Sequence, residues 1–201
     1  MEAVKEREGL TERLEAAAQV GMTTAVWASV QPDKAAVIDP DGAQHSFAKV
    51  NANANRIARL LRQAGLKVGD AVALVCSNRA EFVEVLAATL RAGFRLTPVN
   101  WHLTADEIAY IVNDCEARAV FCEARIKACG PAVAQAPDVA LKVAVGGDIE
   151  GFLNYEEALA GIDASDIPDP VLGNSMLYTS GTTGRPKGVY RAQPVVALQA
   201  V

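Results

Sequence analysis

The chain has 201 residues, 51% apolar and 21% charged, with 19 Lys plus Arg against 24 Asp plus Glu and a formal net charge of −5. That length allows one large domain or two small ones around a sizeable core. The acidic balance argues against a general binder of nucleic acid or anionic membrane, which needs a basic face.

The amino-terminal stretch "MEAVKEREGLTERLEAAAQV" mixes both charge signs without an apolar segment, so it does not read as a signal peptide. The longest apolar run, "FVEVLAATLRAGF", is interrupted by Glu84 and Arg91 and is too short to span a bilayer. A soluble, cytoplasmic chain with no transmembrane segment is expected. Further along, "HSFAKVNANANRIARLLRQAGL" reads as a helix with Ser46 at the N-cap. Val50, Ala54, Ile57, Ala58 and Leu61 share one face, and Gly65 stops it. Its asparagine-rich "NANAN" reads as the solvated side. "DAVALVCSN" reads as a buried strand. "AEFVEVLAATLRAG" reads as a helix with Phe82, Leu86 and Leu90 in line and Gly93 closing it.

"FRLTPVN" is the next strand, and "TADEIAYIVNDC" opens a helix with a capping box, Thr104 at the N-cap and Glu107 three residues on. "ARAVFCE" follows as a strand. Beyond Cys122 the pattern weakens: "VALKVAVGG" suggests a strand, "NYEEALAGI" a short helix, "DASDIPDPVLGN" a loop, and "SMLYTS" a last strand. Strands alternating with helices across short loops predict an α/β fold, a parallel sheet covered by helices on both faces. The four cysteines, at 76, 115, 122 and 129, contain no Cys-x-x-Cys pair, and only His45 and His102 could add nitrogen ligands. They read as buried free thiols, with no metal-binding residues assigned.

The chemistry concentrates in "LYTSGTTGRPKGVY", Leu177 to Tyr190. Glycine loses more conformational freedom on folding than any other residue, so a segment this rich in it needs a compensating contact. Glycines let backbone N–H groups converge on an anion. The hydroxyls of Thr179, Ser180, Thr182 and Thr183 add neutral donors, and Lys187 adds a mobile positive charge. That donor set suits a polyphosphate. The spacing is not that of a Walker A loop, because Arg185 and Pro186 separate Gly184 from Lys187, and Gly188 stands where the magnesium-binding hydroxyl belongs.

The unbroken run "YTSGTTGRPKGV", Tyr178 to Val189, resembles the signature loop of the adenylate-forming (AMP-binding) superfamily, which includes acyl-CoA synthetases, aryl-CoA ligases, luciferases and the adenylation domains of peptide synthetases. "HSFAKVNANANRIARLLRQAGLKVGDAVALVCSN" and "LAATLRAGFRLTPVNWHLTADEIAYIVNDCEARAVFCE" look like the family's upstream helix–strand units, so the resemblance covers nearly the whole chain. It implies an acid–thiol ligase. A carboxylate, a fatty acid foremost, would attack the α-phosphorus of Mg-ATP to give an acyl adenylate and pyrophosphate. A thiol, usually that of coenzyme A, would then displace AMP. The implied ATP-binding residues are Thr179, Ser180, Gly181, Thr182, Thr183, Gly184 and Lys187, with Lys187 and Thr182 carrying catalysis. Gly184 and Gly188 would also set backbone geometry, Pro186 would stiffen the approach, and Arg185 would be solvated.

Other residues carry blander expectations. Trp101 and His102 read as packing, Asp106 and Glu107 as favourable charges in a helix's first turn, and Tyr178 as a packed or hydrogen-bonded residue at a strand end. The resemblance also implies that residues 1–201 are a partial N-terminal AMP-binding domain without the rest of the domain or its C-terminal lid. Such a chain is expected to be inactive alone and able to associate with the missing remainder. The alternative is a non-catalytic nucleotide-binding or interaction remnant.

Overall fold

The computed structural model describes residues 2–179 and 186–189, with side chains from residue 9 onward. Helices Glu2–Ala18 (α1) and Thr23–Val30 (α2) lead into an antiparallel hairpin of Ala35–Ile38 (β1) and Gln44–Ser46 (β2). Neither these two helices nor the hairpin is foreseen by apolar periodicity. Helix Phe47–Gln63 (α3) starts where expected, with the Ser46 hydroxyl accepting from Lys49 N, and Gly65 after it takes a positive φ of 89°.

From there strands and helices alternate: Ala71–Val75 (β3), Ala80–Arg91 (α4), Arg95–Val99 (β4), Ala105–Asp114 (α5), Ala117–Glu123 (β5), Cys129–Val133 (α6) and Leu141–Val145 (β6). Leu153–Asn154 (β7), Tyr155–Leu159 (α7) and Asn174–Ser175 (β8) follow. Six parallel strands pair in the order β7-β6-β5-β3-β4-β8. The expected α/β architecture is therefore present. All five residues of β3 are buried, as a central parallel strand covered on both faces requires. Val72 and Leu74 pack with α3, α4 and α7 on one face, while Ala73 and Val75 pack with α5 and α6 on the other.

Two sequence expectations change in this setting. The "NANAN" run is not the solvated side of α3: Asn55 is fully buried, Asn53 Nδ2 donates to Glu84 Oε1 at 3.0 Å, and Asn51 Nδ2 donates to Asp166 Oδ1 at 2.9 Å. On α4 the line Phe82, Leu86 and Leu90 is only half-buried. The inward face instead carries Val85 and Ala88 together with Glu84, Thr89 and Arg91. The polar groups turn inward because α3 brings amides to meet them. Asn55 Oδ1 and Thr24 Oγ1 accept from the Arg91 guanidinium, and Asn55 Nδ2 donates to Asp166 Oδ1 at 2.9 Å. Burial pushes Arg91 down to about 10, still charged at neutral pH.

At its amino end α4 is capped from outside. Asp39, in the β1–β2 turn, accepts from Ala80 N at 2.8 Å and from His45 at 3.0 Å. This stands in for the cap that Arg79, at the N-cap position, does not supply.

Asn55→Ala leaves a buried guanidinium and the Asp166 carboxylate each one partner short. It should lower unfolding stability by about 3 kcal/mol, read as a shift in the urea midpoint. Burial holds Glu84 above its ordinary value of 4.5, outweighing the hydrogen bonds from Tyr155 and Asn53. A raised folded-state pKa contributes stability that is complete below the unfolded value and is lost as pH rises through the folded one. Glu84→Gln, which keeps an acceptor for Tyr155, should therefore gain stability over the parent chain at pH 8 and lose that advantage near pH 4, in paired urea titrations.

Candidate active site

After β8 the chain runs along the outer edge of β4, with Met176 N donating to Leu96 O at 2.8 Å. It then turns away as Leu177–Thr179 (β9), which pairs antiparallel with Lys187–Val189 (β10). The strand expected over "SMLYTS" is thus broken at Met176: its first residues belong to the sheet and its last to a hairpin. The register sets Lys187 opposite Thr179, Gly188 opposite Tyr178 and Val189 opposite Leu177. Thr179 Oγ1 lies 3.5 Å from Lys187 O, closing the hairpin at the base of the glycine-rich segment.

Side chains alternate along such a ladder. Tyr178 and Gly188 face the protein, half-buried, while Leu177, Thr179, Lys187 and Val189 stand on the exposed face. Two expected phosphate contacts, Thr179 and Lys187, are thereby brought together on one open face. The remaining expected residues, Ser180, Gly181, Thr182, Thr183 and Gly184, lie outside the described residues, as does Arg185. No described acidic side chain forms an ion pair with Lys187.

The inward face is fixed. Tyr178 Oη donates to Asp114 Oδ2 at 2.5 Å, at the last residue of α5. Burial, reinforced by that bond, pushes the Tyr178 phenol well above its usual range, so it stays a donor. A Cβ on Gly188 would lie 3.0 Å from Tyr178 Cζ and 3.2 Å from its hydroxyl, and would overlap the end of Met176. Only glycine lets the ring lie this close to the opposite strand. Tyr178 is therefore hydrogen-bonded and packed, as expected.

A second polar cluster sits at the carboxyl ends of β3 and β5. Helix α4 leaves β3 on one face there and α6 leaves β5 on the other, the kind of crevice in which open α/β sheets bind ligands. Glu123 accepts from Ser77 N at 2.9 Å and from Arg125 Nε, and Arg79 Nη1 lies 3.6 Å away. Burial alone would raise Glu123, but Ser77 and Arg125 hold it below the usual carboxylate range. Arg79 is chelated by Glu81 through bonds of 2.6 and 2.8 Å. Arg125 lies over the Trp101 ring at 5.2 Å.

Sequence reasoning missed this cluster because its residues come from three separate places in the chain, the β3–α4 junction, the end of β5 with Arg125 after it, and Trp101 after β4. Its charges compensate one another, and it ties those places together. Trp101 packs half-buried against the core and His102 is exposed. Glu107 completes the capping box with Thr104, and Asp106 shares that first turn. The four cysteines are buried free thiols, and among the described residues no group of His, Cys, Asp or Glu could hold a metal. No described helix is long and apolar enough to cross a membrane.

The sequence profile of the family described as AMP-binding enzyme matches residues 24–198. The fatty acid–[acyl-carrier-protein] ligase ScoC of Streptomyces coeruleorubidus is 35% identical over 175 residues, covering 85% of this chain and 32% of its own length. An indoleacetate–CoA ligase of Aromatoleum aromaticum is 32% identical over 179 residues, 87% of this chain and 35% of its own. Among solved structures, that of the anthranilate CoA ligase AuaEII in complex with anthranoyl-AMP matches with a TM-score of 0.76 at 25% identity, over 85% of this chain and 34% of that one. The chain thus spans about a third of the length of these curated relatives.

Burial pushes the Cys76 thiol up to about 12 and raises Cys115, while a hydrogen bond with Cys129 together with burial raises Cys122. The native chain should therefore show almost no reaction with an aromatic disulfide reagent at pH 8, and all four thiols should titrate once urea unfolds it.

Proposed function

The chain belongs to the AMP-binding enzyme family, and we propose that it provides the triphosphate-gripping hairpin of an ATP-dependent acid–thiol ligase. In this reading a carboxylate oxygen attacks the α-phosphorus of ATP. The bond to the β-phosphate oxygen breaks, leaving an acyl adenylate and pyrophosphate. A thiol then attacks the acyl carbon and AMP departs, giving a thioester. A free carboxylate is a poor electrophile, and AMP supplies the leaving group it lacks.

One observation carries this assignment: the hairpin presents Thr179 and Lys187 side by side on its open face while its other face is pinned to the protein. The Lys187 ammonium would meet the charge that builds on departing pyrophosphate, where electrostatic stabilisation is most effective. The Thr179 hydroxyl would turn its one hydrogen from Lys187 O, 3.5 Å away, to a neighbouring phosphate oxygen. Ser180, Gly181, Thr182, Thr183 and Gly184 are assigned to the same grip, with Thr182 acting beside Lys187 on the developing charge. The Lys187 ammonium suits phosphate oxygens and repels a divalent cation, and no group of carboxylates among the described residues could hold one. Mg2+ is therefore assigned to the triphosphate itself, whose charge it would neutralise.

The acid is proposed to be a fatty or aryl carboxylate and the acceptor coenzyme A, in keeping with relatives named for fatty acid and indoleacetate and for carrier-protein and CoA acceptors. Residues 1–201 are read as part of the AMP-binding domain, in keeping with a match to about a third of each relative.

Calorimetric titration of the 201-residue chain with ATP should show binding, without ATP–pyrophosphate exchange when a panel of fatty acids is added. Lys187→Ala should weaken that binding about tenfold or more, the worth of a charge-assisted hydrogen bond, while leaving the circular dichroism spectrum unchanged. An unchanged affinity would overturn the assignment.

A further inference from the structure

We propose that Asp114 and Tyr178, closed over Gly188, form a positioning clamp that holds Thr179 and Lys187 in their phosphate-facing register; this rests on the reading of those two residues given above. The geometry comes from three directions. Tyr178 and Gly188 are cross-strand partners immediately beside the Thr179–Lys187 pair, so whatever fixes the first pair fixes the second on the opposite face. The ring rests on the Gly188 backbone, where any added carbon would fall 3.0 Å from Cζ. The phenol then reaches a carboxylate 64 residues away in sequence, on a separate element, at 2.5 Å.

The anchor itself is rigid. Helix α5 is closed at its start by the Thr104–Glu107 capping box and buries Ile108, Ile111 and Val112 against the sheet. Its last turn carries no basic residue, and its final residue is an acid. A negative charge there opposes the helix dipole, so the position is locally unfavourable unless a partner offsets it. A choice that breaks a local rule and meets a donor from another element marks a position kept for what it holds. Without the Tyr178–Asp114 bond, the hairpin would be held to the sheet edge by the Met176 N–Leu96 O hydrogen bond and by the packing of Met176 and the Tyr178 ring against the core. Its strands could shift there, carrying Lys187 with them.

Neither residue touches substrate in this scheme. Tyr178 and Asp114 are positioning residues acting through Lys187 and Thr179. Gly188 belongs to the same device, because a methyl group there displaces the ring tip from Asp114 unless the strand moves.

The test titrates the 201-residue chain with ATP and follows amide hydrogen exchange at Thr179 and Lys187 in the same samples. Tyr178→Phe keeps the ring and loses the bond; Asp114→Ala removes the acceptor; Asp114→Asn restores a neutral acceptor oxygen. The clamp predicts about three- to tenfold weaker ATP binding and faster exchange at both amides for Tyr178→Phe and Asp114→Ala. It also predicts recovery of most of the loss in Asp114→Asn, and a Tyr178→Phe/Asp114→Ala double variant no worse than either single one. Asp114→Ala could unfold the end of α5, and Tyr178→Phe then carries the test alone.

Unchanged affinity and exchange in Tyr178→Phe, with binding still lost in Lys187→Ala, would overturn the clamp and leave the phosphate reading intact. Faster exchange with unchanged affinity would reduce the contact to a structural one and equally overturn it. A parent chain that ignores ATP just as Lys187→Ala does would overturn the phosphate reading, and with it the purpose assigned to the clamp.

Discussion

The carboxyl-terminal turn of α4 is the point on which the rest of the chain is assembled. Three segments distant in sequence converge there. Gly21, with a positive φ of 72°, presses against Leu90 and Arg91 from the amino-terminal side. Gly173 lies against Thr89, Leu90 and Phe94 from the other, so close that a Cβ would sit 3.1 Å from Leu90 Cα and would overlap two carbonyl oxygens. Between them the Arg91 side chain runs inward to Thr24, Asn51 and Asn55. A buried guanidinium is costly unless its donors find partners, and here they come from α2 and α3 and from the Ala87 carbonyl of α4 itself. That requirement makes the packing of the three helices specific as well as apolar.

The same turn delivers the hairpin. The last carbonyls of a helix lack partners within it, and two of those in α4 are met by the incoming strand: Val171 N donates to Arg91 O at 2.9 Å and Gly173 N to Leu90 O at 2.7 Å. Asn174 N then bonds Phe94 O at 3.1 Å, and Met176 N bonds Leu96 O. The chain is thus fed residue by residue onto the open edge of β4. Asn51 and Asn55 hold Asp166 just upstream of this path, so the network that encloses Arg91 also positions the loop leading out of it. The structural core and the hairpin that carries Thr179 and Lys187 are therefore linked through a handful of hydrogen bonds.

Much of this was legible in the residues, and what was not has a physical cause. The faces of α3 and α5, their caps at Ser46 and Thr104, and strands β3 to β5 follow from local patterns that tertiary context leaves standing. The asparagines of α3 were misread because composition cannot distinguish a solvated amide from one matched to a buried partner, and the partners, Glu84 and Arg91, lie on another helix. Those same two residues rotated the inward face of α4 away from its most apolar line. Helix α2 and the β1–β2 hairpin carry no clear periodicity, since none of the residues in α2 is fully buried. The glycine-rich segment shows its donor set, four hydroxyls and one lysine, by residue type alone. That Tyr178 would find Asp114 could not be read, because nothing in either neighbourhood points to the other.

An acidic chain proposed to grip a polyanion faces a constraint set by its own charge. With a formal net charge of −5, the long-range field does not draw a triphosphate inward. Beyond about 8–10 Å, salt screens whatever single charges remain at the surface. Affinity must then come from short-range donors, whose strength falls steeply when distance or angle is wrong. One ammonium and a few hydroxyls and amides suffice only if they are held in place before the ligand arrives, because each group left free adds an ordering cost on binding. A glycine-rich segment is poorly suited to hold itself. The demand for preorganisation is met instead at its base, where an antiparallel register, a glycine and a tyrosine moored to a capped helix fix the two strands from which the segment departs.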